Sequence, residues 1–414
     1  MLNVDERWDL IDRIARKTVK FEGHKPALKD VLGDLTVKPL TGIPFAIAVI
    51  YGGWGFFVEF AGTLLTDGFF CKIFDEHWLV WLRSVFPGGL GNWFYSLMID
   101  AGHMENGVLV ASDNCFEAFG VITSGLFIAF GVVLWAVLAF YLIFALLEDV
   151  GYLPRLAVLI DTLLHKIGLH GYAIVPTFLG LGCNIPGILA TRILETKKQR
   201  FSMMSLLVVF VPCGAQIGIM QNLIPNMIGW VFLSVAIGYF GFGYVLSKLV
   251  PGESPEILAD VPPYQMPTLR NIRMKLWLRT SHFLCIAVPF VILGSLIVGI
   301  LYLTGAMDKL AWIMGPFLTR WWKVPSATVA PLVAGFLRKD LAVGMLGGIE
   351  MSSYQLFKSV VLLSIYFPCL ATFVMLLKEE KWKELLGTLG FLALVIATYG
   401  GALHLIGILL GGYK

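Results

Sequence analysis

The stretch GLGCNIPGILATR, residues 180–192, decides how the rest of the chain is read. It is apolar enough for a bilayer, but a straight transmembrane helix has no use for its composition. Gly180, Gly182 and Gly187 weaken a helix, and Pro186 removes a backbone donor and crowds the preceding turn, so irregular backbone is expected here. In lipid, irregular backbone survives only where protein or a water-filled path surrounds it. Carbonyls freed at such a break, beside the Cys183 thiol and the Asn184 carboxamide, are the parts of a cation site inside a transporter.

Of the 414 residues, 57% are hydrophobic and 14% charged, against about 25% charged in soluble domains. The chain therefore reads as an all-α polytopic membrane protein in contact with the lipid bilayer. The first 38 residues are charged and polar with no apolar run behind a short basic start, so no secretory leader is expected. This amino-terminal arm is placed in the cytoplasm. The net charge is only +3, with Lys and Arg in short clusters, and nucleic acid is not expected as a partner. A disulfide between Cys71 and Cys115 is open if their segment faces an oxidising compartment. Each cysteine otherwise reads as a small buried hydrophobe.

Five regions are expected. Residues 1–38 form a cytoplasmic amphipathic arm, helical over 5–20, and linker. Residues 39–125 hold a first transmembrane helix and an outer amphipathic segment. A first repeat at 126–250, a cytoplasmic linker at 251–279 and a second repeat at 280–414 follow. Seven full crossings are read at 41–65, 126–147, 201–220, 226–246, 281–303, 357–377 and 385–410, each near the roughly 20 residues a bilayer core requires. Two broken apolar stretches, 172–194 and 329–348, are read as re-entrant hairpins. With the amino terminus inside, most Lys and Arg fall on the cytoplasmic side, as the positive-inside rule asks. The outer segment carries Asp67, Asp75, Glu76, Asp100, Glu105, Asp113 and Glu117 against Lys72 and Arg83, a surface that would attract cations.

The two broken stretches look like one motif used twice. Pro176, Gly180 and Cys183 superpose by spacing on Pro331, Gly335 and Arg338, and a Pro-Cys pair follows each, at 212–213 and 368–369. The proline intervals are 36 and 37 residues (212 minus 176; 368 minus 331). Three crossings per unit turn the second copy upside down, and inverted repeats hold their substrate near the midplane at the broken helices.

Cys183, Asn184, Cys213 and Cys369 are the candidate metal ligands, because thiolates with amide or carbonyl oxygens suit a borderline transition metal. For each cysteine alone, packing is an equal reading; as a set beside Pro and Gly breaks they favour function. Charged residues in membrane-grade sequence are expensive and usually functional. Arg338, Lys339 and Asp340 sit inside the second hairpin, where an ion pair of Asp340 with Arg338 or Lys339 would keep charge in the bilayer and control passage. Glu148 and Asp149 end the second span, where a charged role and simple interfacial solvation compete. Met203, Met204 and Met220 read as packing, with Gln216 as a polar contact. No structural-zinc spacing and no phosphate-binding loop occur, so the chain reads as a transporter rather than an enzyme.

The strings LLEDVGYLPRLAVLIDTLLHKIGLHG (146–171), IVPTFLGLGCNIPGILATR (174–192), PLVAGFLRKDLAVGMLG (331–347) and YFPCLATF (366–373) resemble the membrane domain of the bacterial FeoB-type ferrous iron transporters. The similarity covers about residues 36–414, and the first two strings are highly specific in combination. It implies Fe²⁺ uptake across the prokaryotic cytoplasmic membrane, with Fe²⁺ as substrate and no permanently bound cofactor. The two hairpins correspond to the family's gate segments, with Cys183 at the pore and Cys213 as a second candidate. Where the family has a polar Ser-Cys-Ser-Ala-Arg run, this chain reads VPCGAQIGIM, so only Cys213 carries over. The resemblance also implies a guanine-nucleotide-binding domain ahead of the membrane part; residues 1–38 look like its residual stalk, which leaves open whether that domain is a separate GTP-binding partner, has been removed or is not needed. A homo-oligomer stays open. Two other readings also stay open: a carrier of nucleoside-like organic solutes, and a membrane docking subunit for a soluble GTPase.

Overall fold

A computed structural model of the chain describes residues 33, 35–86, 92–100, 103–105, 108–110, 120–252, 264–306, 309, 312, 322, 324–337, 339–349 and 351–409. The expected helix at 5–20 lies outside these residues, as does Cys115, the proposed disulfide partner of Cys71.

Helix α1 (Pro39–Val85) begins with a proline in its first turn, where the missing N–H would have had no partner anyway. It runs well past residue 65, where the sequence reading ended the first span. After Pro44 no proline interrupts the chain until Pro87, so nothing removes a backbone donor before the helix ends just ahead of it. The short helix α2 (Trp93–Met98) is capped by the Asn92 side chain. A small antiparallel pair follows, β1 (His103–Glu105) with β2 (Val108–Val110).

The remainder is helical and repeats. In the first half α3 (Val121–Val150) and α4 (Tyr152–His165) lead to the hairpin α5 (Ile174–Gly182) and α6 (Asn184–Ala190). Then come α7 (Lys197–Phe210), α8 (Gly214–Leu223) and α9 (Ile228–Leu249). In the second half α10 (Leu269–Leu303) leads to the hairpin α11 (Val329–Leu337) and α12 (Lys339–Leu346). There α13 (Ser353–Ile365), α14 (Leu370–Glu379) and α15 (Trp382–Leu409) follow. Among the described residues six helical stretches are long and apolar enough to cross a membrane: α1, α3, α7 with α8, α9, α13 with α14, and α15. The seventh expected crossing, 281–303, is the second part of α10.

The correspondence extends to the caps. α5 and α11 start and end 155 residues apart, and so do the 3-10 turns before them, Gly171–Ala173 and Ser326–Thr328. α12 is one residue longer than α6, and from there the offset is 156 (352 minus 196; 368 minus 212). Thr196 with Gln199 caps α7, and Ser352 with Gln355 caps α13, each by a reciprocal capping box; a cap of this kind is worth about 0.5–2 kcal/mol. The packing also exchanges the halves. α6 lies on α14 and α12 on α8, while α7 lies on α15 and α13 on α9; α3 meets α10. Such exchange is what two copies related by a two-fold axis require.

Helices α7 and α13 sit at the centre. Of the apolar stretches, 78% of the one in α7 and α8 and 61% of the one in α13 and α14 are buried, against 28% in α9 and 39% in α3 and α15. Each holds a run that is apolar all round, as enclosed helix is: Leu206, Leu207, Val208, Val209, Val360, Val361, Leu362 and Leu363 are all in the core. Met203, Met204 and Met220 are buried with them, in keeping with the packing reading. The ion pairs among the described residues join segments that the sequence threading puts on one side: Arg83 with Asp100 outside, Arg192 with Glu379 inside, and Glu148 and Asp149 with Lys275 and Arg279 inside.

Candidate functional site

The first hairpin breaks at Cys183. α5 ends at Gly182, Cys183 is extended (φ −155°, ψ 134°), and α6 begins at Asn184. Pro186, expected together with the glycines to make the backbone irregular, is the third residue of α6, where no N–H has an intrahelical acceptor. None of the glycines in the hairpin has positive φ. They let elements touch. A Cβ on Gly187 would stand 3.0 Å from both the Cα and N of Gly180, and one on Gly182 would stand 2.5 Å from the Phe140 ring. Helices of nine and seven residues are each far too short to span about 30 Å at about 1.5 Å per residue, so α5 and α6 enter and return.

Asn184 is buried, and with its amide nitrogen turned to the acceptors it donates to the carbonyls of Gly180 (3.0 Å) and Val211 (3.3 Å). Val211 precedes the Pro212-Cys213 break between α7 and α8, so the amide ties the hairpin to the central helix. Cys213 and Cys369 stand at equivalent N-cap positions, of α8 and α14. Both lie within electrostatic range of Cys183. The Cys369 sulfur lies 3.1 Å from the Thr372 hydroxyl. Each of the three thiol residues is partly accessible. Among the described residues no three His, Cys, Asp or Glu side chains stand close enough to hold a metal ion together. The arrangement is thus a set of separate donors rather than a closed cage.

In the second hairpin α11 ends at Leu337 and α12 begins at Lys339; Arg338 lies outside the described residues, as does the side chain of Asp340 and with them the expected ion pair. Lys339, the first residue of α12, occupies the place of Asn184. It is buried and donates to the Ser364 carbonyl at 3.0 Å. Gln216 on α8 reaches the same residue, donating from Nε2 to the Ser364 hydroxyl at 3.3 Å.

Glu148 and Asp149 are not simply solvated. Lys275 donates to Glu148 (3.0 Å) and to Asp149, and Arg279 donates to Glu148 (2.8 Å), tying the end of α3 to α10. The Tyr141 hydroxyl lies within electrostatic range of both Arg279 and Cys183, which sets this cluster beside the first break. Asp100 is lost from the outer cation-attracting surface: it is wholly buried and paired with Arg83 at 2.6 Å. Three features escaped the sequence reading. Lys358 is fully buried in α13, at the position of Ser202 in α7 (358 minus 202 is 156). Arg192, two residues beyond α6, makes a two-pronged pair with Glu379. Glu380, between α14 and α15, is buried and accepts from Thr388 at 2.8 Å, and burial pushes its carboxyl up to about 7.

Comparison with known proteins adds to this geometry. The Gate family model, described as nucleoside recognition, matches residues 130–226 and 284–382, once in each repeat. A second model, described as the ferrous iron transport protein B C terminus, matches residues 227–279. A Fe(2+) transporter FeoB of Methanocaldococcus jannaschii is 25% identical over 97% of the chain and 63% of its own length. One of Staphylococcus aureus is 25% identical over 64% of the chain and 45% of its own length. A Fe(2+) transport protein A/FeoB fusion protein of Porphyromonas gingivalis is 30% identical over 39% of the chain and 20% of its own length. The chain thus spans less than two thirds of these relatives. No solved structure matches it.

Proposed function

The chain belongs to the FeoB-type transporter family, and we propose that it carries Fe²⁺ across a prokaryotic cytoplasmic membrane into the cell. The observation that carries this reading is three cysteines at three helix breaks: Cys183 in the first hairpin and, within electrostatic range of it, Cys213 and Cys369 after the prolines of the two central spans. Thiolate with carbonyl and amide oxygen is a donor set for a borderline metal such as Fe²⁺. Single donors in sequence suit passage, since a transported ion must leave each site as readily as it enters. In this path Cys183 and Asn184 receive the ion, Cys213 and Cys369 take it onward, and the charged break of the second hairpin restricts passage. The Glu148 and Asp149 cluster holds the two repeats together beside the first break. The chain does no chemistry on its cargo, and its cytoplasmic face with the amino-terminal arm is where a GTP-binding protein would dock.

The description of the Gate family gives one ground for an organic-solute reading, while the names of the relatives favour iron. A counterflow assay on the purified chain in proteoliposomes under anaerobic conditions separates the two. Trans-acceleration by Fe²⁺, in a panel with Mn²⁺, Zn²⁺ and Co²⁺, is the expected result. Trans-acceleration by a nucleoside with none by any metal would overturn it, and Fe²⁺ movement only with an added GTPase would assign the energy source to that partner.

A further inference from the structure

Lys339 places a full positive charge beside the path proposed for a cation. Its anchor is specific. Pro368 has no N–H, so the carbonyl four residues earlier, that of Ser364, loses its helical donor. That carbonyl is the acceptor the Lys339 ammonium takes, at 3.0 Å. The Ser364 hydroxyl donates to the Val360 carbonyl (2.9 Å), so it can only accept from Gln216, which fixes the amide nitrogen toward Ser364. The other end of that amide, Oε1 of Gln216, is wholly buried and meets no hydrogen-bond donor. Cys213 and Cys369 lie within electrostatic range of the ammonium. A carbonyl freed by proline and a buried amide oxygen that meets no donor, both reached through Ser364, with two sulfurs in electrostatic range, are the parts of a cation site, and the amide oxygen has no role in holding a lysine. The first hairpin offers a contrast: there the neutral Asn184 stands at the equivalent position.

We propose that the second hairpin break is itself a cation site, closed in this conformation by its own lysine, and that an incoming divalent cation must displace the Lys339 ammonium from the Ser364 carbonyl to pass. The proposal rests on the Fe²⁺ transport reading and adds the residue that sets its threshold. Like charges exclude each other from a buried site, so the lysine competes with the metal on equal ground and leaves by swinging its flexible stem. A path plugged this way stays shut to weakly bound cations and yields to one that thiols hold well.

The test uses the full chain in detergent under anaerobic conditions, with ⁵⁵Fe²⁺ equilibrium binding as the readout. Lys339→Met removes the charge and keeps the stem; its half-saturation should fall at least tenfold, while Lys339→Arg stays within about twofold of wild type. Should Lys339→Met fail to fold, wild type alone decides: saturating Fe²⁺ should raise acetic-anhydride labelling of Lys339, read by peptide mass spectrometry, several-fold. Equal binding by folded Lys339→Met and wild type, or labelling unchanged by Fe²⁺ that does bind, would overturn the displacement. No Fe²⁺ binding by any form would sink the transport reading and this inference with it.

Discussion

Gly187→Ala tests whether the first hairpin is held shut by backbone contact. The added Cβ would stand 2.8 Å from Leu207 Cδ1 and 3.0 Å from the Cα and N of Gly180. Leu207 can rotate away, but the Gly180 backbone cannot, and carbon contacts relax only at about 3.5–4.0 Å. The halves must therefore part by about 0.5–1 Å. The second hairpin shows the spacing that an alanine needs: Ala342 stands where Gly187 does, opposite Gly335. Overpacking of this kind costs about 1–3 kcal/mol, which is about 5- to 150-fold in the equilibrium between closed and parted halves. The assay is the labelling rate of Cys183 by a charged maleimide, with the other cysteines replaced. Gly187→Ala should raise that rate several-fold or more and lower Tm by a few degrees. Gly218→Ala on α8, whose Cβ would meet nothing within 4 Å, should leave the rate unchanged. Equal labelling and equal Tm in Gly187→Ala and wild type would refute close glycine contact as the lock.

Two further outcomes follow from charges away from the thiols. Lys275→Met leaves Asp149, largely buried, without its donor and should lower stability by about 1–3 kcal/mol, the cost of an unpaired partly buried carboxylate; adding Asp149→Asn should restore most of it in a thermal unfolding series. Glu380 is held near 7 in the folded chain against an ordinary 4.5, so the folded state keeps a proton that the unfolded state has already released. Stability from this group is therefore present below about pH 4.5 and is lost as pH rises through 7. Tm should fall between pH 5 and pH 8 in wild type by more than in Glu380→Gln, and equal falls would show that Glu380 is solvated.

Proline, glycine and cysteine carried the legible part of this fold, because their effects on the backbone are local. The spacing of Pro176, Gly180 and Cys183 against Pro331, Gly335 and Arg338 located both hairpins and the order of elements around them. The same local reasoning bracketed the break within residues 180–192 without fixing it to Cys183. Pro186 is disruptive in mid-helix, but whether it lies in mid-helix depends on where α6 starts, and that is set by the approach of Gly187 to Gly180. Partners distant in sequence were not legible. Glu148 and Asp149 find Lys275 and Arg279 only once α3 packs on α10, and Asp100 leaves the outer surface only because Arg83 reaches it. Lys339 was legible as an expensive charge; its use of the carbonyl that Pro368 frees was not.

The central claim, that the cargo meets a thiol at the first break, is tested most directly by initial rates of ⁵⁵Fe²⁺ uptake into anaerobic proteoliposomes. Wild type is compared with Cys183→Ser, which keeps the size and polarity of the site and removes the soft ligand. The account predicts that Cys183→Ser lowers Fe²⁺ uptake at least tenfold at limiting metal while the folded yield is unchanged. Uptake by folded Cys183→Ser at the wild-type rate would contradict it, and would take thiol ligation at Cys183 out of the mechanism.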